Sequence, residues 1–190
     1  MDILEYKEFP SNIKAFTTLK DIKKELSFSL ALHTMQDPIK VDKNRKELLK
    51  FFSIPKVLSL RQIHSNKVVD IDNISLNSNL WEDLDIEADG MVTSKKNIAL
   101  AIFSADCIGA LLYDPISNII GAYHAGWRGS YLNIASNIIE LMVKKGAKPK
   151  NIKVAISPHI KSCCYEVDSK VASKFKEYKD AIRIVDKNIF

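Results

Sequence analysis

The strongest constraint in this chain is a pair of short apolar runs, residues 110–113 and 119–123, joined by Asp114-Pro115-Ile116-Ser117-Asn118. Asp-Pro and Ser-Asn steps are turn chemistry, so the runs predict a β-hairpin. A turn centred near Ile116 or Ser117 sets His124 opposite the neighbourhood of Cys107 and Ile108, because antiparallel strands pair symmetrically about their turn. The open end of the hairpin thus gathers an imidazole and a thiol. It leads straight into His124-Ala125-Gly126-Trp127-Arg128-Gly129, which adds two glycines, an indole and a guanidinium.

Periodicity organises the remainder. From Ser130, the residues Tyr131, Ile134, Ala135, Ile138, Ile139 and Met142 keep helical spacing as far as Gly146, predicting a helix whose N-terminus follows that turn. Its free amides and dipole would favour an anion, reinforced by Arg128. Residues 41–53 predict another helix, with Asp42 as N-cap and Leu48, Leu49 and Phe52 as its apolar stripe, ended by Pro55. Residues 57–63 predict a half-buried strand that delivers His64 to its end, and a further strand starts near Val68. Residues 73–85 read as a surface loop holding Trp81. The apolar run 98–103 predicts a central strand buried on both faces, from which Ser104-Ala105-Asp106-Cys107 exits. Residues 154–156 form a short strand and 171–178 a last helix.

Bulk properties bound the partners. At 190 residues the chain is long enough for one domain that buries roughly two-thirds of its unfolded surface. No apolar run approaches the about 18 residues of a membrane span, so a soluble protein without membrane contact is expected. The start around Asp2, Glu5 and Lys7 lacks a secretory pattern, and Cys107, Cys163 and Cys164 make no disulfide framework; a cytoplasmic location follows. The net charge of +5 comes from dispersed lysines without a basic block, which argues against nucleic acid. Arginine is sparing by contrast, with Arg45, Arg61, Arg128 and Arg183 among 24 lysines. Arg61 and Arg128 stand close to His64 and His124, either as bidentate anion ligands or as surface ion pairs.

A thiolate and two imidazoles suit zinc, and three protein ligands leave one position for water. Local spacing joins Cys107 to His124 but does not place His64. A buried, inert thiol with histidines satisfied at strand ends is the competing reading.

The chain resembles the laccase-domain family, also described as multicopper polyphenol-oxidase-like or YfiH-like proteins and as purine nucleoside phosphorylases. The resemblance rests on Gln62-Ile63-His64 with Val68, Ala88-Asp89-Gly90-Met91-Val92-Thr93, Ala105-Asp106-Cys107 and the complete His124-Ala125-Gly126-Trp127-Arg128-Gly129 block. A weaker block runs from Ser157-Pro158-His159-Ile160 through Cys163-Cys164-Tyr165-Glu166-Val167, and Asn44-Arg45 also matches. It implies an α/β fold with mixed β-sheet layers and flanking helices, a single catalytic domain over residues 1–190, and zinc held by His64, Cys107 and His124. It further implies phosphorolysis of adenosine, inosine, guanosine and methylthioadenosine, with purine nucleosides and phosphate as partners and adenosine deamination as a companion activity.

Within that expectation Asp106 is the candidate catalytic proton shuttle and Arg128 the main phosphate ligand and charge stabiliser. Arg61 is a weaker anion contact, and Trp127 either stacks on a base or is a buried structural indole. Copper-dependent phenol oxidation is the alternative, disfavoured because multicopper centres are histidine-rich and only His33, His64, His124 and His159 occur. A hydrolase editing cell-wall precursors and a non-catalytic zinc or purine binder are further alternatives. Departures from the family pattern include an absent arginine and glycines around Thr17-Thr18-Leu19-Lys20, Gly109 where a proline is usual, Ser157 and Lys161 in place of glycines, and no counterpart of the family's terminal Cys-Thr and Ser-Tyr-Arg-Arg segments.

Overall fold

The computed structural model describes residues 1–34, 36–178, 180, 182, 184–185 and 188–189. Strands β1 (Ile3–Glu5) and β2 (Phe16–Thr18) pair antiparallel at the start, before helix α1 (Pro38–Phe52). Then come β3 (Val57–Arg61), β4 (Val68–Asp70), β5 (Trp81–Glu87), β6 (Gly90–Thr93) and β7 (Ala99–Ala101). The central hairpin is β8 (Ile108–Asp114) and β9 (Ile119–Ala125), followed by α2 (Trp127–Tyr131) and α3 (Ile134–Lys144). Strand β10 (Lys153–Ile156), helix α4 (Ser169–Lys174) and a two-stranded pair, β11 (Ile184–Val185) with β12 (Asn188–Ile189), complete the order. The architecture is mixed α/β: a five-stranded sheet ordered β10-β8-β9-β6-β4 and a parallel three-stranded sheet ordered β5-β3-β7. Among the described residues no helix is long and apolar enough to cross a membrane.

The expected hairpin forms, with one difference in register. His124 pairs with Gly109 and Ala125 with Ile108, one step from the expected alignment. That step matters because strand side chains alternate between faces. Opposite Ile108, His124 would share a face with Ile108; opposite Gly109, it shares the face that continues to Cys107.

Other boundaries move for local reasons. Helix α1 starts at Pro38, where proline's missing amide is harmless, and Asp37 caps it by accepting the Ile39 amide at 3.0 Å. Asp42 is therefore an interior residue paired with Lys46 at 2.7 Å and not the N-cap. Trp81 opens β5 instead of sitting in a loop, and its indole donates to Ser59 Oγ at 3.1 Å. Strand β7 is a half-buried edge rather than a central strand, while β3, in the middle of its parallel sheet, is buried on both faces up to Leu60. The helix expected from Ser130 is two helices, because Asn133 adopts a left-handed conformation (φ 59°) between α2 and α3.

Helix α3 packs Ile134, Ile138 and Met142 onto Val92, Leu112, Ile119 and Tyr123 of the larger sheet. A second core, Leu58, Leu60, Ile71, Leu84, Ala88 and Met91, joins the smaller sheet to it. Each of these large side chains, fully buried, contributes about 1.5–3 kcal/mol. Together the cores fix the end of β3 against the end of the β8–β9 hairpin.

Candidate metal centre

Three side chains from separate segments meet where those ends adjoin. The ligand atoms of His64, Cys107 and His124 all lie within 4.8 Å of one another. The two imidazoles stand edge to face, ring centres 4.7 Å apart.

Asp89 is the organiser. It is fully buried just before β6, and its carboxylate accepts the amides of Ile63 (3.3 Å), His64 (3.0 Å) and Ser65 (2.6 Å), plus the Ser65 hydroxyl (2.8 Å). Three consecutive amides converge on one anion because His64 takes a left-handed conformation, φ 60°. A fifth bond joins Asp89 Oδ1 to His124 Nδ1 at 2.9 Å, which leaves Nε2 of His124 as its free donor. Burial alone would raise the Asp89 pKa, but the bonds from His124, Ser65 and His64 outweigh it and hold the carboxyl at about 2. One carboxylate thereby orients the metal-capable histidines of two distant segments.

Two glycines of the hairpin exit let these segments touch. A Cβ on Gly126 would stand 2.9 Å from His64 Cδ2 and 3.1 Å from Cys107 Sγ. One on Gly129 would stand 3.1 Å from the Ser65 carbonyl oxygen. Asn66 ties the same strap to the α2–α3 corner: its amide donates to the Leu132 carbonyl at 2.9 Å, and its own carbonyl accepts from Asn137 at 2.8 Å. Gln62 braces the other side by exchanging two 2.8 Å bonds with the Phe103 backbone.

The electrostatics suit a cation. Burial lowers the His64 pKa, and His124 and Arg128 lower it further against Asp89, which favours the neutral, ligating form of the ring. Burial raises the Cys107 thiol, with Asp106 and Asp89 adding to the effect. The thiolate thus needs a nearby positive charge to form. A thiol and two neutral imidazoles, one held by a buried carboxylate, fit a tetrahedral borderline cation with one position to spare.

The other residues singled out in the sequence take different places. Asp106 is exposed beside Cys107, its carbonyl accepting the Ile160 amide at 2.9 Å. Arg128 is exposed in the first turn of α2, its guanidinium 4.4 Å from the centre of the half-buried Trp127 ring. Arg61 points to Asp85 (3.3 Å) and Glu87 (3.5 Å) on the surface. A cleft of about 1190 Å³ is lined by His64, Asp106, Cys107 and His124 together with Phe103, His33 and β2. Arg45 lies apart from the cluster: almost buried, it grips Asp83 through two bonds of 2.6 and 3.0 Å and stacks on Trp81.

Sequence spacing assigns Asp89 no function; the available signal is an Asp-Gly step carrying a charge into an otherwise buried strand. Tyr165 is a second such residue: burial raises its phenol, with Cys107 adding and Arg128 opposing. Two departures from the family pattern also meet, since the Gly109 amide donates to the Ser157 hydroxyl at 2.9 Å. A proline at 109 has no such proton, and a glycine at 157 no such oxygen.

Comparisons with known proteins give the chain's relatives. The family model described as multi-copper polyphenol oxidoreductase laccase matches residues 21–188. A Rickettsia conorii protein named purine nucleoside phosphorylase is 41% identical over 132 residues, covering 70% of this chain and 51% of that one. One of the same name from Clostridium acetobutylicum is 32% identical over 166 residues, covering 85% and 67%. The chain thus spans about half to two-thirds of the length of these curated relatives. Among solved structures, Neisseria meningitidis protein NMB0706 superposes with a TM-score of 0.81 at 26% identity, covering all of this chain and 78% of that one.

Proposed function

The chain belongs to the multi-copper polyphenol oxidoreductase laccase family, and from that premise we propose that it is a zinc-dependent purine nucleoside phosphorylase with a companion adenosine deaminase activity. The observation that carries the proposal is the convergence of His64, Cys107 and His124 on the wall of a large cleft, in a chain whose relatives are named purine nucleoside phosphorylase.

His64, Cys107 and His124 hold the cation, and zinc suits a donor set of one thiolate and two imidazoles better than the several histidine-rich centres of a multicopper oxidase. Bound there, it supplies Lewis-acid charge next to the substrate. Arg128 carries the phosphate, since its guanidinium is exposed and has the Trp127 ring as a support. In phosphorolysis a phosphate oxygen bonds to the ribose anomeric carbon as the bond to the purine nitrogen breaks, and Arg128 offsets the charge that moves onto these groups. Asp106, on the cleft wall beside Cys107, moves the proton that deamination requires. Arg61 contributes less, because Asp85 and Glu87 already neutralise it. Trp127 supports Arg128 and flanks the nucleoside. The cytoplasm, where nucleosides and phosphate are available and thiols stay reduced, is the fitting compartment.

The test is a product assay. Purified protein releases hypoxanthine from inosine only with phosphate, and converts adenosine to inosine without it; Cys107→Ala does neither and loses its zinc. Oxygen uptake with phenols would replace this reading with a copper oxidase, turnover of cell-wall precursors alone with an editing hydrolase, and tight zinc and purine binding without turnover with a binding protein.

A further inference from the structure

The turn before α4 carries a second group of metal-ligating side chains that the proposed reaction does not use. Cys163 and Cys164 are adjacent, both exposed, and their sulfurs lie 3.0 Å apart. The turn is held by the Cys164 and Tyr165 amides, which both donate to the Lys161 carbonyl at 3.0 Å. Just before it, the Ser157 carbonyl accepts the His159 Nδ1 proton at 2.7 Å, and the Lys161 ammonium donates to His159 Nε2 at 2.9 Å. Imidazole and ammonium therefore satisfy each other, and among the described residues the two sulfurs have no hydrogen-bond partner but one another.

We propose that Cys163 and Cys164 form a chelating site for a soft, thiophilic ion of the trivalent-arsenic type, separate from the His64, Cys107 and His124 cluster. Ligand softness divides the two sites. The cluster offers one sulfur and two nitrogens, a set for a borderline cation, whereas the turn offers two sulfurs and no nitrogen. The sulfurs already stand 3.0 Å apart, short enough for a single atom to bridge, so the second bond forms within the molecule and gains the effective concentration of a chelate. With arsenous acid the chemistry balances without an oxidant. Two As–S bonds form, two As–O bonds break, the thiol protons leave with the two hydroxyls as water, and arsenic stays trivalent.

The experiment uses the full chain, reduced and then freed of reductant, titrated with arsenite; bound arsenic is read by elemental analysis and remaining thiols by a thiol-reactive dye. Wild-type protein takes up one arsenic per chain and loses two reactive thiols. Cys163→Ser and Cys164→Ser each weaken uptake by about 10²-fold or more, as loss of a chelate requires. Cys107→Ser leaves it unchanged, and because this variant disables the cluster, failure of the phosphorylase reading and failure of this one are told apart. Uptake that survives both turn variants, uptake abolished by Cys107→Ser, or an unchanged thiol count in folded wild-type protein at saturating arsenite would each overturn the proposal. Circular dichroism confirms that the variants are folded, which the exposure of both side chains leads us to expect.

Discussion

Two arginine–tryptophan pairs share one geometry and differ in everything around it. In each the guanidinium carbon lies 4.4 Å from the indole ring centre. Arg45 is only 5% exposed and is completed by a bidentate bond to Asp83, by the Leu30 carbonyl and by a Trp81 indole that itself donates to Ser59. Three of its five N–H donors are spent on the fold. Arg128 is exposed, and among the described residues it has no carboxylate within ion-pair distance. A guanidinium seated over a ring without a carboxylate partner is available to an anion from outside, while one gripped by a carboxylate of its own fold is a strut. The aromatic contact therefore does not separate structure from function; the carboxylate does.

The sharpest way to break this contrast is to remove each guanidinium. Arg45→Ala is expected to cost about 2–3 kcal/mol, lowering Tm by roughly 5–10 °C, because Asp83 loses its charged partner while part of its burial remains. A loss below about 0.5 kcal/mol in urea unfolding would make Arg45 an ornament. Arg128→Ala should do the reverse: stability within about 0.5 kcal/mol of wild type, but phosphate-dependent inosine cleavage reduced about 10- to 100-fold in kcat/KM, the worth of a charged hydrogen bond. Unchanged kinetics would strip Arg128 of the phosphate.

Acid probes the carboxylates on either side of the contrast. Asp89 and Asp83 both have pKa values below the ordinary carboxylate value: burial opposes the shift, and hydrogen bonds from His124 and Ser65, or from Arg45 and Ser59, overcome it. A depressed folded-state pKa gives stability that is present above the unfolded pKa and lost as pH falls through the folded one. For Asp89 that window runs from about pH 4 down to about pH 2 and is worth on the order of 2 kcal/mol. Asp89→Asn should flatten the acid limb of the stability curve measured by urea unfolding and weaken zinc binding about 10- to 100-fold. An unaltered acid limb would mean that Asp89 does not hold the strap. The smallest effect belongs to Arg61, whose exposed pairs with Asp85 and Glu87 predict that Arg61→Ala costs at most about 1 kcal/mol. A change in kcat/KM as large as that of Arg128→Ala would raise it to an equal phosphate ligand.

Local sequence made the hairpin legible because its signal is local: two apolar runs and a turn between them. The same holds for α1 and for the stripe Ile134, Ile138 and Met142 on α3. What local pattern misjudged were features set by neighbours. The run at residues 98–103 is as apolar as a central strand, yet it ends up at an edge because β3 occupies the middle of that sheet. Trp81 looks like a loop residue until Arg45 and Ser59 give it a floor and an acceptor.

The chain by itself determined which atoms were available at the centre: one thiol, two imidazoles, the glycines that let them approach and an arginine beside them. Only the tertiary structure decided that they meet. His64 lies 60 residues from His124 in the sequence, and no periodicity links them; a buried carboxylate from a third segment does, by taking the amides of one and the ring nitrogen of the other. The hairpin register likewise turned His124 and Cys107 to one face. Spacing along a chain specifies neighbours within an element, but a site built across elements depends on how their buried faces pack, and that is settled when the cores close together.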